Sequence, residues 1–558
     1  MMKDRRQFLR ATGLSLPFLT GCSGFLDDSQ PATERATRTG TATEAHTTSP
    51  DRTGTDEPTA ESLESRIGSD LRSRFDTVYD VTEHGADPSG GQRVDDVVEE
   101  LATDDTLLYF PTGRYLIGSV LVEGVRNVGL LGEDTTFEID EPGQNIYLSL
   151  RNVADILVDG FTVDNTGANE AAAVDLKCTG GTNRFRNYAV DGFVDVPERT
   201  FAFTLMVQGA DSDLTLSNVD LSQGGTNAGA VFVFPQRDFY DPDQAAGSLT
   251  FRDCVMQGWG KEGLYASAHS GPLRVLGGEY ANNAIVQVRV GGGNAPTEAV
   301  VRDVTVRATE IPDYMPANNR LLRGIWLKEG DGALIENCEI QVQNLGRTQT
   351  QGGIVVNDQF GRVRIRDCEI TSSVPRPAVV AENPVTEYDS QWMPSLDRLP
   401  EEWSITVEDT SITSSISDIE AVHIVGRDGS LFRNVTVEQL ERGGDGIQLH
   451  RTGSCRIEDS TIDAQRFPVA VALPESSDDC VVHLARTTIA GRSAGRTEQV
   501  VATNTENRFC VQSDPIDGTD PAPRQLLGLT RTGTAGSTGE TTTRDSQAYV
   551  LFGRLFDR

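Results

Sequence analysis

Lysine is scarce in this chain, with only Lys3, Lys177, Lys261 and Lys328 against 83 Asp and Glu. Lys328 ends the string Gly324-Ile325-Trp326-Leu327-Lys328, and the same shape returns as Gly353-Ile354-Val355-Val356-Asn357 and Gly446-Ile447-Gln448-Leu449-His450. Alternate residues of a strand share a face, so the outward side chains of these strings form two columns. The first reads Asp175, Met206, Tyr265, Gln287, Trp326, Val355, Val380, His423, Gln448 and Ala470. The second reads Lys177, Gln208, Ser267, Arg289, Lys328, Asn357, Glu382, Val425, His450 and Ala472. The register around Phe232 and Phe234 stays open. Polar side chains gather at Tyr265, Ser267, Gln287, Arg289, Trp326, Lys328 and Asn357, with His269 just beyond. Arg289 and Lys328 are cations suited to an anionic ligand, and Lys328, Tyr265 or His269 could take a proton from carbon. Trp326, Gln287, Ser267, Asn357, Asp358 and Glu382 are the accompanying contacts. The same set also reads as a cation ladder balanced by Glu329, Asp331, Asp358 and Glu382 on a solvated strand face.

The elements that carry these side chains follow from a repeat. Ile335-Glu336-Asn337-Cys338-Glu339-Ile340 matches Phe251 to Met256, Ile365 to Ile370 and Ile457 to Ile462. Twelve such units centre on Gly160, Asn187, Asn218, Asp253, Gly277, Asp303, Asn337, Asp367, Asp409, Asn434, Asp459 and Arg486. The residue two before each centre and the residue three after it are apolar, and the spacing averages about 30 residues, which is a solenoid. Alternation on the two sides of each centre is out of phase, as when a strand bends through one left-handed residue. Asn, Asp and Gly adopt that conformation at least cost. With the Gly-Ile-x-Leu-x strings, each repeat holds three strands. The architecture is therefore an all-β parallel β-helix of about 12 coils stacked roughly 4.8 Å apart.

This repeat resembles the right-handed parallel β-helix of the pectate lyase superfamily. The entry segment is similar to that superfamily's N-terminal module, in Thr82-Glu83-His84-Gly85-Ala86-Asp87 and in Leu108-Tyr109-Phe110-Pro111-Thr112-Gly113-Arg114. Between these strings Val94, Val97, Val98 and Leu101 line one helix face, a capping helix for the open end of the core. The resemblance spans residues 76–513. It implies a substrate lying along the first strand of each coil, but fold alone does not decide between lyases, hydrolases, epimerases and non-catalytic surface proteins. It implies a uronate chain for the two cations and β-elimination for the proton acceptor. Insertions at 237–247, 307–323 and 383–402 bring Phe239, Tyr240, Tyr314, Tyr388 and Trp392 as walls on which sugars can stack. Hydrolysis needs two carboxylates roughly 5–9.5 Å apart, which Glu329 or Asp331 with Asp358 could supply. The polygalacturonase patterns are missing, however; Asn165-Thr166-Gly167 and Gly443-Gly444-Asp445-Gly446 come nearest. No cofactor or metal ligand set is expected, with a calcium requirement left open. A non-catalytic, glycan-binding surface protein is the alternative to an enzyme.

The ends speak to location. Arg5-Arg6 precedes the short apolar run Leu14 to Leu19 and then Leu19-Thr20-Gly21-Cys22. This resembles a twin-arginine export signal with a lipobox, leaving Cys22 lipidated at the outer face of the cytoplasmic membrane. Residues 23–75 are rich in Thr, Ser and acids and read as a disordered stalk. Residues 514–558 form a polar tail in which Ala548 to Phe552 offer a late strand. The formal charge of −34 excludes nucleic acid as main partner. Arginine over lysine on an acidic surface fits a halophile, since molar salt shortens screening to roughly 3 Å. Cys254, Cys338 and Cys368 share an inward position, whereas Cys455 and Cys480 lie on adjacent coils in an arrangement that export would let oxidise. Asn434-Val435-Thr436 is a glycosylation sequon, but a bend amide there would be engaged by its neighbours.

Overall fold

The computed structural model describes residues 67–513, apart from segments 141–146, 168–172, 196–199, 235–244, 295–297, 316–319, 344, 346–349, 391–392, 473–479, 492–499 and 504–508, together with 531–532. The expectations for the export signal, Cys22, the late strand, Phe239, Tyr240 and Trp392 lie outside the described residues.

Three rows of strands run through the chain. In the first, Val286–Val290, Arg323–Glu336, Ile354–Arg366 and Val379–Ala381 pair in succession. In the second, Ala299–Arg302 pairs the later part of Arg323–Glu336, which pairs Ile354–Arg366 and then Ile405–Glu408. In the third, Thr305–Ala308, Glu339–Val342, Glu369–Ser372 and Ser411–Ser414 follow one another. All of these pairings are parallel, and parallel crossovers within one sheet coil right-handed. The chain is a right-handed parallel β-helix.

All twelve centres of the repeat have positive φ, from 49° to 86°. The bend is therefore the physical reason for the phase slip in the sequence. Ten of the twelve carry side chains that pay a left-handed penalty, and neighbouring coils offset it with hydrogen bonds. Asn218 Nδ2 donates to Asn187 Oδ1 at 2.8 Å, Asn337 Nδ2 to Asp303 Oδ1 at 2.6 Å and Asn434 Nδ2 to Asp409 Oδ1 at 2.6 Å. The sequon amide at Asn434 is thus engaged. Arg486, the one basic bend residue, holds the Asp459 carboxylate on the preceding coil through Nε and Nη2 at 2.5 and 2.7 Å.

Inside, like stacks on like. Val301, Ile335, Ile365 and Val407 are neighbours in register and fully buried. Each such side chain contributes about 1.5–3 kcal/mol of burial. Cys254, Cys338 and Cys368 sit in this interior as unbridged thiols. Cys455 stands opposite Val482 in register, and the side chain of Cys480, its candidate partner on the adjacent coil, lies outside the described residues.

The helix expected at 94–101 forms at Asp95–Leu101, with Val94 and Val98 buried and Val97 and Leu101 packed against the core. Order begins earlier than composition suggests. A short helix spans Ser69–Arg72, and Phe75 is buried against the chain at Gly129, so residues 67–75 are fold rather than stalk.

Candidate functional site: a cation and carboxylate cluster on the first strand row

The outward face of the first row carries an aromatic and cationic ladder. Phe232, Tyr265, Arg289, Trp326 and Val355 are neighbours in register on successive coils. This differs from the sequence columns, which pair Gln287 with Trp326 and Arg289 with Lys328. Gln287 instead lies between Val286 and Val288, which pair Arg323 and Ile325. The Phe232 and Tyr265 rings meet edge to face at 4.9 Å, as do those of Phe232 and Phe234. The Arg289 guanidinium lies 3.8 Å from the Tyr265 ring and 4.5 Å from the Trp326 ring, and Arg323 covers Trp326 at 4.2 Å. Cations over indole and phenol faces are held by the ring quadrupole, so the two guanidiniums are fixed in place before any ligand arrives.

Three of the candidate residues support this floor from beneath. Ser267 is buried and accepts the Arg289 Nε hydrogen bond at 2.9 Å. Gln287 is buried and bonds the Asn283 backbone N–H, the Asn283 carbonyl and the Arg323 carbonyl. His269 is buried, its Nε2 lies 3.1 Å from the Gly247 carbonyl, and enclosure lowers its pKa to about 4. Enclosed side chains do not meet a polymer on the surface. The geometry therefore removes His269 from the proton-transfer set and Ser267 and Gln287 from direct contact.

Lys328 stands half-buried one position beyond the ladder, where a β-bulge interrupts the pairing. Leu327 pairs Val356 and Glu329 pairs Gln359, so Lys328 faces both Asn357 and Asp358. Two residues against one re-aims side chains locally. Lys328 Nζ donates to Gln359 Oε1 at 2.5 Å. Burial lowers the Lys328 pKa, and Glu329, Asp358 and Glu382 pull the other way. Asn357 Nδ2 donates to Asp358 Oδ1, while the Asp358 N–H donates to Glu382 Oε2 at 3.2 Å. Burial first, and then the charge of Asp358, raises the Glu382 pKa.

Beneath Lys328, Glu329 is 2% exposed, its Oε2 has no hydrogen-bond partner among the described residues, and burial pushes its pKa up to about 7. Nothing in the sequence separates Glu329 from the many solvated acids; its enclosure comes from the insertion at 383–402, which brings Ser395 against it. The insertion is tied down by Asn294 Nδ2 and Arg398 Nη1, which donate to Asp331 at 2.9 and 3.2 Å, and by the Asp397 N–H, which donates to Asn294 at 2.6 Å. Asp331 is thereby spent on the wall.

Arg427 fixes the bulge. Its guanidinium is fully buried and, among the described residues, donates only to backbone carbonyls: Glu382 at 2.9 Å, Phe360 at 2.6 Å, Gly361 at 3.3 Å, Trp403 at 3.4 Å and Asn357 at 2.8 Å. Burial lowers its pKa to about 10, which leaves it a cation. Of the expected aromatic walls, Tyr314 binds the Gly258 carbonyl at 2.5 Å and packs on Phe193, whereas Tyr388 binds the Leu396 carbonyl inside the insertion.

Among the described residues no group of three or more His, Cys, Asp or Glu stands in metal-holding geometry, and no helix is long and apolar enough to cross a membrane. No protein-family model matches the chain, and no curated protein matches it. Among solved structures it is similar to the mannuronan C-5 epimerase AlgE6 A-module of Azotobacter vinelandii, with 13% identity, 79% of this chain and 100% of that chain covered, and a TM-score of 0.29. The Agl-KA catalytic domain shows 13% identity over 79% of this chain and 68% of that chain, with a TM-score of 0.39. The Streptococcus pneumoniae surface protein and adhesin PfbA shows 12% identity over 78% and 100%, with a TM-score of 0.35.

Proposed function

We propose that this protein binds an acidic polysaccharide along the first strand row and cleaves it by β-elimination at Lys328. The observation that carries this reading is the burial of a lysine amine among carboxylates, next to a guanidinium clamped between Tyr265 and Trp326. Arg289 neutralises the uronate carboxylate, which acidifies the neighbouring C5–H. Lys328, in its uncharged form, takes the C5 proton. The electron pair becomes the C4–C5 double bond as the C4–O bond breaks. Glu382, whose carboxyl is pushed toward its protonated form, gives the departing oxygen its proton. Tyr265, Trp326, Asn357 and Asp358 line the sugar-binding floor. The reaction balances without a cofactor, and calcium is an arm of the assay rather than a part of the mechanism.

The chain is exported by its twin arginines and anchored through lipid on Cys22, so the polysaccharide is met outside the cytoplasmic membrane. The motif Leu19-Thr20-Gly21-Cys22 supports this.

A second reading, binding without turnover, is favoured by the enclosure of His269, which leaves only Lys328 and Tyr265 of the proton-acceptor candidates. The two readings separate in one assay. The mature protein is incubated at high salt with acidic and neutral polysaccharides, with and without calcium, while ultraviolet absorbance of unsaturated uronate and new reducing ends are followed. A lyase gives both signals, and Lys328→Ala abolishes them. Reducing ends without absorbance mean hydrolysis. Retained binding with neither signal means a binding protein.

A further inference from the structure

Glu329 follows Lys328 in the chain at the bulge, and neither binding nor the cleavage chemistry uses it. Its carboxyl is enclosed, and Oε2 has no hydrogen-bond partner among the described residues. Its backbone has little room to move. A Cβ on Gly291 of the preceding coil would stand 3.0 Å from the Glu329 carbonyl oxygen, and one on Gly330 would stand 3.0 Å from the Phe360 ring. Ser395, itself buried, lies against the carboxyl. The charged groups that face it are Lys328 and Arg289. Asp331, two residues on, is taken by Asn294 and Arg398. Arg289 is clamped between Tyr265 and Trp326, so Lys328 is the neighbour whose charge can answer that of Glu329. Lys328 Nζ donates to a neutral oxygen, Gln359 Oε1, and faces Glu329, Arg289, Asp358 and Glu382. Burial favours the uncharged amine as it favours the uncharged carboxyl. With one proton between them, the two side chains are either both neutral or both charged. An ionised Glu329 keeps the proton on Lys328, and a protonated Glu329 lets it go.

We propose that Glu329 is a positioning residue that acts through Lys328: its enclosed carboxylate holds the amine as an ammonium and so sets the pH above which Lys328 accepts the C5 proton. The proposal rests on the elimination reading above and adds its regulation. Glu329 touches no substrate atom. As the pH rises the ammonium loses its proton to solvent, and the carboxylate makes this happen later than burial alone would allow. An opposite charge within about 4–6 Å delays such a loss by about one to three pH units.

The scarcity of lysine makes this measurable without a substrate. Beyond Cys22 the chain holds only Lys177, Lys261 and Lys328, so competitive acetylation with acetic anhydride, read by peptide mass spectrometry across pH, follows each amine separately. In the unaltered protein the Lys328 profile should rise in two steps, the first where Glu329 ionises. Glu329→Gln should reduce it to one step with a midpoint lower by about one to three pH units, which is tenfold or more extra labelling between the steps. Glu329→Asp, which keeps the charge, should keep both steps. Lys177, whose pKa burial lowers, should hold its midpoint in every variant and so reports that the coils are intact. A single step in the unaltered protein, or an unmoved Lys328 midpoint in Glu329→Gln, overturns the proposal. Release of unsaturated uronate is the separate arm. The rising limb of kcat/KM should move down in Glu329→Gln by the same amount as the labelling midpoint, and a limb that stays in place overturns the role given to Glu329. A labelling shift with no unsaturated uronate at any pH overturns the elimination reading and leaves the coupling of the two side chains standing.

Discussion

Replacing Glu329 with glutamine gives a direct test of the enclosed carboxyl under Lys328. The side chain is 2% exposed, and its pKa stands at about 7 against 4.5 in the open chain. Between those two values the folded protein keeps a proton that the unfolded chain gives up. Stability is therefore intact below the unfolded value, falls as pH rises through the window, and stays reduced above the folded value. At 1.36 kcal/mol for each pKa step, the carboxylate costs the folded state about 3 kcal/mol at alkaline pH. Glutamine keeps the shape and carries no charge at any pH. At about pH 4, below the unfolded value, the two proteins should be nearly equal, and at about pH 8 the glutamine variant should be more stable by about 3 kcal/mol. A solenoid opens coil by coil rather than all at once, so the assay is amide hydrogen exchange in Arg323–Glu336 and Ile354–Arg366, variant against parent at each pH. The expected ratio of protection factors at the higher pH is about 100-fold, near unity at the lower. A ratio that does not change with pH would show that Glu329 does not titrate in this window. A variant weaker at the higher pH would show that the ionised pair with Lys328 stabilises the fold, and the argument for an uncharged lysine would lose its support.

Two further outcomes follow from the same geometry. Arg427→Met should leave the five carbonyls it serves without a donor and cost about 3–5 kcal/mol locally, read as faster exchange at Asn357 to Gly361 and around Glu382 and Trp403, with distant coils unchanged; protection that survives would mean that water or rearrangement replaces the guanidinium. Cys22→Ser should release the protein from membranes into the medium on fractionation, and membrane retention would refute the lipid anchor.

The bends were legible because chemistry and spacing agree there: twelve centres written from the Asn, Asp or Gly residue (Arg in the last) and the apolar positions flanking it all take left-handed φ. The groove was legible only in outline. A strand slipped by one residue turns its faces over, but a strand slipped by two keeps the same parity. That is why Arg289 moves into the column of Tyr265 and Trp326, and Gln287 drops back to the level of Gly324, without any violation of the apolar pattern. Outward parity also does not guarantee exposure. Ser267 faces out yet lies under Arg289, and His269 is covered by the turn at Gly247. Glu329 and Arg427 carry no signal along the chain, since one is enclosed by an insertion beginning some fifty residues later and the other serves carbonyls from several coils.

The bulge at Asn357 and Asp358 has a consequence for how the molecule can change length. Regular pairing resumes at Glu329 with Gln359 and continues through Gly332 with Arg362 and Ile335 with Ile365. The offset is thus absorbed within one step, and every inward side chain of that coil depends on it. Loops such as 307–323 and 383–402 can gain or lose residues without disturbing the strands beside them. Loss of one residue at the bulge would instead turn Phe360, Val363 and Ile365 out of the interior or force a compensating gap before the bend at Asp367. The walls of the groove are open to insertion and deletion, while the coil bearing Asn357 and Asp358 is fixed in residue count.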